Sequence, residues 1–136
     1  MKDRSKLRER FLRDRVAIQL GNIASNLARI DNFIRMEMEQ AAITDLLDET
    51  KAMIEWAAPS ATLKQQFTLV ELQRCLVRWR FAWDDIAQDA AHRTGVANKA
   101  REWSEQLIAI SGLLDEEPVS TAKQPENAEA LVATFS

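Results

Sequence analysis

Chemically reactive side chains are scarce in this chain: one cysteine, one histidine and no tyrosine occur in 136 residues. With Cys75 alone there is no intramolecular disulfide framework and no cysteine-based zinc site. Glycine is nearly absent as well, and its three residues stand far apart at positions 21, 95 and 112. No loop of the phosphate-cradling kind can be built from them. The common nucleophile motifs are excluded on the same inventory, so a non-enzymatic protein without cofactor or metal is expected. No apolar run approaches the roughly 20 residues that span a bilayer. The basic start of the chain also lacks the continuous hydrophobic region of a signal peptide. A cytoplasmic location is the default expectation.

What is present favours helices. Hydrophobic residues make up 46% and charged residues 29%, a globular composition, and proline is as rare as glycine, at three residues. Alanine, leucine, arginine, glutamate and glutamine dominate, all good helix formers apart from their context. No four-residue stretch alternates convincingly as a strand. The fold class is therefore read as all-α.

Periodicity predicts about four helices. Val16, Leu20, Ile23, Leu27, Ile30 and Ile34 recur at 4-3-4-3-4 within a first helix reaching from about Ser5 to Met38. This stripe crosses Gly21 without losing register, which favours one continuous helix. Ala17, Gly21 and Ser25 add a strip of small residues open to close approach. Upstream of Val16, Glu9 and Arg13 stand where the stripe needs apolar residues, so residues 1–15 are expected to project as a basic helical arm. A second helix is expected over Ala42–Ala57, ended by Pro59. Two capping boxes, Thr62–Gln65 and Thr68–Glu71, compete to start the third helix. Its core stripe runs Leu69, Leu72, Leu76, Trp79, Trp83, Ile86 and Ala90. A second stripe of Leu63, Phe67, Val70, Val77 and Phe81 lies beside it. Arg93-Thr94-Gly95 is read as a turn, followed by a fourth helix with Val96, Ala100, Trp103, Leu107, Ile110 and Leu114 inside. Short connections imply antiparallel neighbours, hence an up-down bundle over residues 1–114. Residues 115–136 are acidic, contain proline and carry no sustained stripe, and are expected to be a disordered tail.

Candidate sites are few. Asp89-Ala90-Ala91-His92 looks like half of a carboxylate–histidine metal pair, but a dimetal bundle needs two such pairs and the chain has one histidine. His92 is read instead as a helix-end residue favoured by the C-terminal dipole. Cys75 and the four tryptophans are read as packing residues. In residues 1–15, seven Lys/Arg face three Asp/Glu, against a net charge of −3 for the whole chain. Arg8, Arg10, Arg13 and Arg15 could neutralise nucleic-acid phosphates, or Leu7, Phe11 and Leu12 could dip into an anionic membrane surface. Asp3, Glu9 and Asp14 interrupt that charge, and no aromatic platform accompanies it.

Gln73 and Arg80 are the most distinctive residues of the third helix, polar groups set into an arc of apolar neighbours. Either they find partners within the chain, with Glu49 and Glu55 as candidates, or they fix the register of a second chain packed on Val77 and Phe81. The second arrangement is preferred. The strings Ile18-Gln19-Leu20-Gly21-Asn22-Ile23-Ala24-Ser25, Ile54-Glu55-Trp56-Ala57-Ala58-Pro59 and Ser111-Gly112-Leu113-Leu114 resemble segments of uncharacterised all-helical proteins of cyanobacteria. The resemblance would cover residues 10–114, and it carries over no functional residue. The functional expectation is a protein–protein interaction module, regulatory or adaptor-like, with an unidentified protein partner or a homodimer. Nucleic-acid or membrane-surface binding through the basic arm is the alternative.

Overall fold

The computed structural model describes residues 3–114, and the acidic segment 115–136 lies outside them. Among the described residues there are six α-helices, one 3-10 turn and no strand. The helices are α1 (Ser5–Arg13), α2 (Val16–Arg35), α3 (Gln40–Ala57), α4 (Leu63–Phe81), α5 (Trp83–Ala87) and α6 (Ala90–Ser111), with the 3-10 turn at Ala58–Ser60. The all-α class holds. The count exceeds the expected four because two expected helices are each divided.

The first division falls at Asp14 and Arg15, both extended, while α2 runs through Gly21 unbroken. The chain doubles back there. Phe11 meets Trp56 edge-on with ring centroids 5.6 Å apart, and Arg4 pairs with Asp45 at 3.1 Å. Residue numbers therefore rise together along α1 and α3. The arm does not project as expected but packs on α3, and Phe11 belongs to the core. Gln19, buried in the first turn of α2, donates to the Asp14 carbonyl at 2.9 Å and the Phe11 carbonyl at 3.4 Å. It satisfies carbonyls freed where α1 ends. No glycine or proline marks this corner, and its local signal is limited to the lost register at Glu9 and Arg13.

The second division falls at Ala82, which leaves the helical region with ψ near 9° before α5 resumes. The stripe survives it, since Trp83 and Ile86 are both buried. Of the two capping boxes, the structure uses Thr62. Its hydroxyl accepts from the Gln65 N–H at 3.1 Å, and the Gln65 side chain accepts from the Thr62 N–H at 2.9 Å. The expected turn at Arg93–Gly95 is helical instead. Asp89 caps α6 by accepting from the N–H groups of Ala91 and His92, a strong start signal. Gly112, in the left-handed region at φ 95°, ends that helix.

The closest packing joins α2 and α6. Ala24, Ala97 and Ala100 are almost fully buried, and a Cβ built on Gly21 would stand 2.8 Å from Leu113 Cδ1. The Ser104 hydroxyl donates to the Ala24 carbonyl at 2.8 Å, so the side chain of one helix touches the backbone of the other. Further along, the buried Asp31 pairs with Arg35 and, at 3.4 Å, with Arg101. Arg35 also donates to Asn98 at 2.6 Å. Residue numbers rise on α2 as they fall on α6, so the two helices are antiparallel. Of the small strip expected on α2, Gly21 is used for this approach while Ser25 faces outward.

Candidate interaction surfaces

The wide apolar arc on α4 divides into two faces. Leu69, Leu72, Leu76 and Trp79 are buried. On the opposite face Leu63 is 82% exposed, Phe67 77%, Val70 53%, Val77 47% and Phe81 92%. With Arg74, also exposed, they sit at 63, 67, 70, 74, 77 and 81, one face of a helix at heptad spacing. Scattered surface leucines are ordinary, but five large apolar side chains in one row are not.

Gln73 and Arg80 do not belong to this outer row. The Gln73 amide donates to the Lys51 carbonyl at 3.0 Å, and Arg80 Nε donates to Asp48 at 3.0 Å. With Gln66, which donates to the Ala58 carbonyl at 2.8 Å, they form a polar edge that ties α4 to α3 and the turn after it. Both polar groups thus have partners inside the chain. Asp48, rather than Glu49 or Glu55, serves Arg80. Val77 and Phe81 remain outward, as the two-surface reading requires.

The basic arm contributes to a second surface. Arg10 and Arg13 of α1 line a groove of about 610 Å³ together with Arg29, Asn22 and Ser25 of α2 and Glu49 of α3. Beneath it the buried Asn26 donates to Glu49 at 3.2 Å and to Thr50 at 3.3 Å, and accepts from Arg29 at 3.0 Å. Arg8 and Arg15 are exposed and are not part of the groove lining. At the start of α1 the Ser5 hydroxyl and N–H both donate to Asp3, which holds that carboxyl below its usual range. With Phe11 enclosed, Leu12 is the large apolar side chain the arm presents to solvent.

His92 stands in the first turn of α6 rather than at the end of the third helix, which removes the expected C-terminal dipole argument. Cys75 is partly buried, and Arg78 donates to its sulfur at 3.4 Å. Among the described residues no group of three or more His, Cys, Asp or Glu is placed to hold a metal ion, and no helix is long and apolar enough to cross a membrane.

The chain matches no family model, no curated protein and no solved structure. Its surfaces are therefore read from their own chemistry. Arg29 and Asn26 of the groove escaped the sequence reading, and Glu49 was read as a candidate partner for Arg80 instead. Asn26 and Arg29 are one turn apart on α2 and carried a usable signal, since Asn26 lies beside the core positions Ile23, Leu27 and Ile30 and needs a polar partner. Glu49 joins them only through the packing of α3.

Proposed function

We propose that α2, α3, α4 and α6 form an up-down frame whose task is to present the outer face of α4 to another protein. The protein acts as a non-enzymatic interaction module, regulatory or adaptor-like. The single observation that carries this reading is the exposed row Leu63, Phe67, Val70, Val77 and Phe81 on a helix whose other face already serves the core. Hydrophobic burial is the main driving force of protein association, and an amphipathic helix with two apolar faces has one left to offer.

The test is capture of associated proteins by the tagged full chain in its native cell, compared with the Val77→Glu/Phe81→Glu variant. Both side chains are exposed, so helical content by circular dichroism should be unchanged, and the bound proteins should be lost. An identical set of bound proteins from both forms, or none from either, with untagged copies of the chain itself counted, would overturn the reading.

The groove supports a second reading, anion binding, because Arg10, Arg13 and Arg29 line one concavity. Nucleic acid or an anionic bilayer would then bind with steep salt dependence. On the α4 reading, DNA and vesicles rich in anionic lipid bind the chain only at background level. Binding at low salt that drops with Arg10→Gln/Arg13→Gln would favour the groove instead.

A further inference from the structure

The row on α4 has a symmetry that suits a second copy of itself. Its intervals are 4-3-4-3-4, which read the same in both directions. A second α4 laid antiparallel, with a two-fold axis at residue 72, sets Leu63 against Phe81 of the other copy and Phe67 against Val77. It also sets Val70 against the aliphatic stem of Arg74. Every large apolar residue of the row meets another apolar surface, and the contact is isologous, as a closed dimer demands.

The charges at the centre of the row agree with this direction. Arg74 is the one polar residue in the row, and Glu71 lies beside it, 3.7 Å away within the same helix and exposed. At about 1.5 Å rise per residue, the antiparallel arrangement brings Glu71 of each copy to within about 1.5 Å in height of Arg74 of the other. Four charges then alternate around the axis. A parallel, in-register pair would instead stack Arg74 on Arg74, a repulsive arrangement. In the antiparallel arrangement each Arg74 meets a second carboxylate besides its own Glu71, which favours this direction and register.

The area comes close to what a dimer needs. Scaling from about 150–250 Å² for a whole large aromatic side chain, the five exposed side chains present on the order of 600 Å². A monomer's largest apolar patch is about 300–600 Å², and a stable complex buries about 800 Å² per partner. The stems of Arg74 and Arg78 supply much of the difference.

We propose that the occupant of the α4 face is a second copy of this chain, packed antiparallel about residue 72 with Glu71–Arg74 pairs across the axis. This inference rests on the reading of α4 as the interaction surface. Sedimentation of the full chain up to sub-millimolar concentration tests it, with circular dichroism as the control for folding. The parent chain should sediment as a dimer. Glu71→Arg and Arg74→Glu, each alone, should weaken association about thirtyfold or more, since the two-fold applies each repulsion twice. The swapped double variant Glu71→Arg/Arg74→Glu should restore the dimer, which no loss of folding could imitate. A parent chain that stays monomeric throughout overturns the self-pairing, while stripe-dependent capture of a different protein would leave the α4 reading standing. A dimer indifferent to the single reversals, or a double variant that stays monomeric, overturns the proposed register and axis.

Discussion

Trp83→Ala should lower stability by about 3–5 kcal/mol, the range for removing a buried aromatic from a packed core. Trp83 is 1% exposed and opens α5 just after the break at Ala82. Its indole does two things at once. The ring fills the core where α4 gives way to α5, and Nε1–H donates to the Gln40 side chain at the start of α3. Truncation removes the ring volume and leaves Gln40 without that donor. The short α5 helix has only five residues and little intrinsic stability, so its place depends on packing. A fall in melting temperature of roughly 10–20 °C is expected at this chain length. Trp83→Phe keeps most of the apolar volume and should recover more than half of the loss. A melting temperature for Trp83→Ala within a few degrees of the parent would show that the α4–α5 junction does not carry the core.

The core was legible because heptad spacing is a property of the backbone. Leu20, Ile23, Leu27, Ile30 and Ile34 on α2 are all buried, as are Leu69, Leu72, Leu76, Trp79, Trp83 and Ile86 across α4 and α5. Helix ends were read less well, for a physical reason that differs from case to case. Thr62 was visible, as one of two candidates with Thr68, because a capping box is local chemistry. The corner at Asp14–Arg15 was not, because Gln19 and Trp56 stabilise it from other elements. Gly95 suggested a turn, yet a single glycine costs a helix only about 1 kcal/mol. The Asp89 cap and the buried neighbours Val96, Ala97 and Ala100 outweigh that cost.

The candidate site was legible by half. A row of apolar residues too wide for one packing surface was visible on α4, and Val77 and Phe81 are outward as that width implied. The polar residues inside the arc were expected to face a second chain, and their hydrogen bonds run to α3. Helical position places Gln73 and Arg80 within one turn of both faces, and only the location of α3 decides which face they join. Arg74, not singled out in the sequence, is the polar member of the outer row. Its relation to Glu71 acquires meaning only when the reversed sequence of the same helix is laid against it.

Ala100→Phe should be at least as damaging as a core truncation, by the opposite mechanism. Ala100 is fully buried on α6, in the same contact as Ala97, Ala24 and Gly21. The 2.8 Å bond from Ser104 to the Ala24 carbonyl fixes how near the two axes lie. A phenyl ring has no room at that separation without moving one helix. Moving α6 outward would break the Ser104 bond, and with it the pairing of Asp31 with Arg101 and of Arg35 with Asn98. Asp31 is buried and would be left with Arg35 alone, so the strain is compounded by electrostatics. Overpacking of this kind costs about 1–3 kcal/mol in ordinary cores and more where the backbone cannot yield. We expect about 3 kcal/mol or more, measured as a lower urea midpoint with the slope used to check cooperativity. Ala109→Phe, an exposed position on the same helix, should stay within about 0.5 kcal/mol of the parent. Equal effects at the two positions would mean that the close approach of α2 and α6 is not what holds this fold together.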